Sequence, residues 1–245
     1  ATGVGKSVAI SEILDGIAAR GDRVFLSDAG GNFLKAYYNE ERHDLILNPL
    51  DSRAVNWSPL AEINSPWDVD QIAKSIIPDA DGSSAEWNGY AQTIIAAILK
   101  HCWQNKLNNS DIFRIATVAK IDELREIFAG TPAQPFTEDG NEKMFGSVRA
   151  IVGKYISPFQ YLESDAGAEN GFSLKKIVSS EVAKGWMFFN FRDDQLETLK
   201  PIIAAMADII SKTILSMEES KTRKFWLIID EFASIGRCGS ILDFL

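Results

Sequence analysis

Long apolar runs are missing from this 245-residue chain: no stretch of 18 or more apolar residues occurs, the length a membrane-crossing helix requires. Cysteine is scarce. Cys102 and Cys238 share no metal-ligand spacing and read as ordinary reduced thiols of a cytoplasmic protein, with a disulfide between them left open. Positive charge is in deficit, 25 Lys and Arg against 34 Asp and Glu, for a net charge of −9. That excludes a wholly basic nucleic-acid surface, although local positive charge in a channel stays compatible with it. Internal repeats and low-complexity segments are also absent. What remains is 46% hydrophobic, enough for a packed core of one large domain or two smaller ones.

The first seven residues read ATGVGKS. This is the phosphate-binding loop G-x-x-x-x-G-K-[ST] (Walker A) without its first glycine. The chain is therefore expected to begin inside the motif and to be a piece of a longer protein. In this reading the segment Thr2, Gly3, Val4, Gly5, Lys6 and Ser7 binds nucleotide. Backbone N–H groups curl round a phosphate, and glycines permit the backbone angles required. The start of the next helix adds partial positive charge. Lys6 reaches the β- and γ-phosphates, and the Ser7 hydroxyl ligates Mg²⁺. A chance GKS in a turn is the competing explanation. The apolar-periodic helix expected over 8–19 supplies the context that the motif needs.

Residues 225–231 read FWLIIDE. Five apolar residues predict a strand buried on both faces, as in a parallel sheet. It delivers Asp230 and Glu231 at its C-terminal end, where ligands of open α/β sheets bind. As a Walker B strand, it places Asp230 in the Mg²⁺ shell and Glu231 where it orients and polarises the attacking water. The alternative is a pair of acids opening a solvated turn. A further strand over 24–27 ends in Asp28, followed by Ala-Gly-Gly. Asp28 is a possible site residue facing the nucleotide or a neighbouring subunit, or simply a turn former at a strand end.

Short elements are expected over 32–40 (helix) and 45–47 (strand). From 65 to 163 strong β runs vanish, and helices are expected over 68–76, 85–104, 111–118, 121–128 and 143–156. Residues 165–171 read as a flexible loop. The sheet pattern resumes with the strand GWMFFNF at 185–191, followed by a long helix over 194–217. The expected organisation is α/β: a nucleotide-binding domain in two parts, 1–64 and 166–245, interrupted by an all-α insertion at 65–165. Trp57, Trp67 and Trp87 are expected to be core or interface anchors rather than base-stacking platforms.

This order of elements resembles the coupling proteins of conjugative type IV secretion systems, the TraD-like group, within the FtsK/HerA-type P-loop motor ATPases. The segment LILNPLDSRAVNWSPLAEI at 45–63 and the run WLIIDEFASIGR at 226–237 carry the resemblance most specifically. It implies a RecA-like P-loop domain with an inserted all-α domain, ATP and Mg²⁺ as cofactors, and a homo-hexameric ring on the cytoplasmic face of the bacterial inner membrane. It implies DNA, relaxase, accessory proteins and secretion-channel components as partners. The family's phosphate lysine falls on Lys6, its Mg²⁺ hydroxyl on Ser7, and its Walker B pair on Asp230 and Glu231. Asp28 matches the acid after the second strand, with Ala29 where the family often has proline. Family members carry transmembrane helices before the P-loop, and strands, a polar sensor and a trans-acting arginine after Walker B. These 245 residues alone are accordingly expected to hydrolyse ATP poorly. Two other functions fit the same residues: a docking module in which ATP is only a conformational ligand, and another ring DNA translocase or secretion ATPase.

Overall fold

A computed structural model of the chain describes residues 5–230. Among these residues, four parallel strands form a sheet: β1 (Arg23–Ala29), β2 (Leu45–Ile46), β3 (Met187–Phe191) and β4 (Phe225–Ile229), in the order β2-β3-β1-β4. The sequence expectation of an α/β architecture is met. Parallel strands need crossover connections and bury both faces, which explains the near-continuous apolar runs of β1 and β3; β4, expected to be buried on both faces, is only half-buried along its length, as it has one strand neighbour among the described residues.

Alternation along the strands sorts side chains onto two faces. Val24 and Leu26 of β1, Phe188 of β3 and Ile46 of β2 face one way. They are covered by helix α1 (Lys6–Arg20) and helix α2 (Asn32–Tyr37). Helix α1 presents Ile10, Leu14 and Ile17, spaced to share a face. Burying Leu14 and Ile17 completely stabilises the fold by about 1.5–3 kcal/mol each. The helix ends at Gly21, whose φ of 71° suits a residue without a Cβ, and the amides of Gly21 and Asp22 return to the Ala18 and Ile17 carbonyls. Tyr37 ties α2 to α1 by donating to the Ser11 carbonyl and to Asp15.

The opposite face carries Phe25, Met187, Phe189 and Phe191 into a larger cluster. Helices α3 (Asp68–Ile76), α4 (Ser84–Gln104), α5 (Asn109–Thr117), α6 (Ile121–Phe128) and α7 (Glu142–Ile156) join it, with α8 (Leu174–Ser179) and α9 (Asp193–Ser216). No strand lies between Ile46 and Met187 among the described residues. One apolar cluster therefore runs without a break from the sheet through α9 and α3 into the helices beyond. Ser75 on α3 donates to Asp208 on α9 at 2.6 Å, adding a buried polar tie across that junction.

Three expectations need correction. Of the three tryptophans, only Trp57 is buried; Trp67 is 71% and Trp87 38% exposed, so neither of those two is a core anchor. The 165–171 loop is closed rather than loose. Asn170 accepts from the Gly167 amide and donates to the Asp165 carbonyl. A Cβ on Gly171 would come within 2.7 Å of the Ser58 Cβ and closer still to the Gly167 carbonyl oxygen. Finally, α8 has no counterpart in the sequence reading: at six residues it shows too few turns for periodicity to reveal.

Candidate nucleotide site

The functional residues collect at the C-terminal edge of the sheet, on the face covered by α1 and α2. Gly5 is the N-cap of α1 and offers no side chain to its amides; no acidic residue occupies the first turn. The helix start keeps its partial positive charge uncompensated there. Lys6 and Ser7 open the helix and are exposed.

On the adjoining strand, Asp230 extends the β4 ladder by donating its amide to the Ser27 carbonyl at 3.0 Å. Lys6 Nζ donates to the Asp230 carbonyl oxygen at 2.7 Å and lies 3.2 Å from its Oδ1. The lysine side chain is half exposed, whereas the Asp230 side chain is 10% exposed. Oδ1 of Asp230 is buried and makes no hydrogen bond among the described residues; the lysine contact is an ion pair only. The two halves of the expected pocket are thus in contact across 224 residues of sequence. Thr2, Gly3, Val4 and Glu231 lie outside the described residues.

Asp28 is fully buried at the end of β1. Its Oδ2 accepts the Leu34 amide at 2.7 Å, so the carboxylate caps α2. Gly30 and Gly31, at φ 84° and 69°, turn the chain between strand and helix. Burial pushes the Asp28 carboxyl above the ordinary carboxylate range, and the Asp230 charge adds to that, against the pull of the α2 amides. The turn-former role considered from sequence is therefore real. Oδ1 of Asp28, however, is buried with no hydrogen-bond partner among the described residues.

Sequence reasoning missed two residues nearby. Asn190 is the register partner of Asp28 on β3, and its Oδ1 is also buried without a partner. A lone amide inside the apolar run GWMFFNF was the available signal. Asn48 donates to the Asn190 carbonyl at 2.6 Å and accepts from the Leu50 amide, which explains the Asn48-Pro49 pair that closes this edge of the sheet. The second is Glu62, completely buried. It accepts from Trp57 Nε1, Ser173 Oγ and the amides of Leu174 and Lys175. Burial pushes its carboxyl up, while these four donors pull it down; the net direction is up. Glu62 fastens α8 beneath the sheet and takes no part in the pocket.

No group of three or more His, Cys, Asp or Glu side chains forms a ready-made metal cage among the described residues. A cation here would have to be shared with a ligand. No described helix is long and apolar enough to cross a membrane. Cys102 is buried and reduced, its thiol pushed up to about 12 chiefly by burial.

Comparison with known proteins places this geometry. The sequence model of the type IV secretion-system coupling protein DNA-binding domain matches residues 1–245. Coupling protein TraD of Escherichia coli (strain K12) is 29% identical over 248 residues, covering 99% of this chain and 34% of TraD. Among solved structures, the unbound bacterial conjugative coupling protein TrwBdeltaN70 superposes with a TM-score of 0.88 at 30% identity, over 99% of this chain and 57% of that one. TrwB in complex with the non-hydrolysable ATP analogue ADPNP gives the same TM-score and identity over 58% of its chain. TrwB with ADP and Mg²⁺ gives 0.87 at 30% identity, again over 58%. The chain thus spans about a third of TraD and under three-fifths of the TrwB chains. The RecA-like P-loop fold with a helical part, expected from the sequence, is the fold of this chain.

Proposed function

This chain belongs to the type IV secretion-system coupling protein DNA-binding domain family, and from that premise we propose that it is the nucleotide-binding part of an ATP-driven subunit that couples DNA to a secretion channel during conjugation. The observation that carries the reading is the contact of Lys6 with Asp230 at the C-terminal sheet edge. TrwB binds ADPNP, and ADP with Mg²⁺, on the same fold.

The residues fit a magnesium–nucleotide ligand. A buried Asp230 oxygen without a hydrogen-bond donor is what a cation or its hydration water would satisfy. Mg²⁺, when bound with ATP, neutralises charge on the β- and γ-phosphates. Ser7 and Asp230 are the residues that would hold it. The protein's own work is then positional. The uncapped start of α1 and the amides of the 2–6 loop bind phosphate, and Lys6 turns from Asp230 to the phosphates. Glu231 accepts a proton from the attacking water as general base. Residues 65–165 are read as the all-α insertion and the flanking segments as the nucleotide-binding domain.

The finer parts of the proposal extend beyond this chain: relaxase and accessory proteins as partners, a hexameric ring, and the cytoplasmic face of the inner membrane as its place. Glu231→Gln tests the enzymatic reading. ATP affinity should remain near wild type while hydrolysis falls by about 10²–10⁴-fold, and conjugative DNA transfer should stop. Transfer that continues at the wild-type rate without hydrolysis would favour ATP as a conformational ligand only.

A further inference from the structure

Three polar side chains stand side by side at the last row of the sheet. Asp28 pairs with Asn190 in the β1–β3 register, and one step beyond the Ser27–Ile229 pair it meets Asp230. In a parallel sheet, laterally paired residues project from the same face. That face is the one covered by α1. The two rows beneath are apolar: Leu26, Phe188 and Ile228, then Val24, Trp186 and Trp226. On this face the polarity is thus confined to the row that Lys6 reaches from the start of α1.

Each member of the row has a buried oxygen with no hydrogen-bond partner among the described residues: Oδ1 of Asn190, of Asp28 and of Asp230, the last of these ion-paired with Lys6. Leaving such groups unsatisfied costs about 1–3 kcal/mol each. A structural cap does not explain Asp28, since Oδ2 alone serves the Leu34 amide. A serine would have capped α2 without burying a second acceptor. The three atoms of the row without a hydrogen bond are all acceptors. A phosphate, itself an acceptor, would not complement it. The water molecules held by a divalent cation are pure donors towards their surroundings, and Mg²⁺ keeps several of them.

We propose that Asp28 is a positioning residue for the metal, accepting a hydrogen bond from metal-bound water through its Oδ1 and so fixing the cation against Asp230. Asn190 Oδ1 continues the same acceptor row. Asp28 touches neither phosphate nor the reacting water; it acts through the hydration shell, as outer-shell partners of metal sites do. The inference rests on the magnesium–nucleotide reading above and deepens it.

Asp28→Asn tests it, because asparagine still caps α2 through one oxygen but lacks the second. Mn²⁺ uptake in the presence of ADP, followed by electron paramagnetic resonance, should weaken by about 10-fold or more. ADP affinity without metal and the melting temperature should stay near wild type. If the D28N variant does not fold, Asp28→Ser keeps a capping hydroxyl and carries the same measurement. Equal Mn²⁺ affinity in wild type and variant would overturn the inference alone. Failure of the wild-type protein to take up Mn²⁺ with ADP would overturn the nucleotide reading, and this inference with it.

Discussion

Lys6 Nζ lies 3.2 Å from Oδ1 of Asp230 and donates to the same residue's carbonyl oxygen at 2.7 Å. The first residue of the P-loop helix and the residue that closes the edge strand thereby hold each other. In this arrangement the lysine sits on the carboxylate that the proposed metal would use. Nucleotide and metal must displace the contact together, which makes Lys6 a group with two alternative partners.

Lys6→Ala separates these roles. A half-exposed ion pair of this kind is worth about 0–1 kcal/mol, so the melting temperature should barely move. ATP affinity should fall by about 10–10³-fold, the scale of a lost charged hydrogen-bonding partner in a binding site. Titration with a fluorescent ATP analogue reads this directly. An unchanged affinity would argue against the phosphate role of Lys6.

Glu62 should make stability depend on pH. Its native carboxyl is shifted above the ordinary value of 4.5, so the folded protein binds that proton more tightly than the unfolded chain. The contribution is full below 4.5 and is lost as pH rises through the native value. Urea unfolding of wild type and Glu62→Gln across this range should show the wild type losing its advantage as pH increases. The E62Q change itself should cost about 1–3 kcal/mol at the acidic end, because the new amide nitrogen cannot accept from the donors that face it, whereas the hydroxyl oxygen of a protonated carboxyl still can.

Gly171→Ala should destabilise the fold through the 165–171 loop. The added methyl meets the Ser58 Cβ and the Gly167 carbonyl, and overpacking of this kind costs about 1–3 kcal/mol. Proteolysis of the native protein should then begin in this loop. A wild-type unfolding midpoint would show that the loop can move aside.

Cys102 should be unreactive while the protein is folded. With its thiol at about 12 and its side chain buried, almost no thiolate exists at pH 8. In a Cys238→Ser background, thiol labelling should track global unfolding. Rapid labelling under native conditions would mean that the helical core opens locally.

Much of this was legible in the amino acids. The spacing of Ile10, Leu14 and Ile17 announced α1, and the apolar run before Asp230 announced β4. The tie between Lys6 and Asp230 followed from two motifs that share one chemistry. What stayed hidden depends on contacts far apart in sequence. Helix α8 is too short to signal itself and is fixed by Glu62, which lies 111 positions before Ser173. Asn190 gains meaning only from its register with Asp28. The exposure of Trp67 and Trp87 is not encoded in their apolar character, and the closure of the 165–171 loop depends on the Asn170 side chain and the nearness of Ser58.

The unbroken apolar cluster running from β1 and β3 through α9 and α3 to α4 and α7 has a mechanical consequence. Strain arising at the sheet edge is passed through this cluster towards the distal helices, since close-packed interiors transmit displacement rather than absorb it. Excising the helical block would strip the covering from α9 and leave it bare to water, so the two regions should melt in a single calorimetric transition. A displacement of the sheet edge would therefore be felt in α4 and α7, which share its cluster.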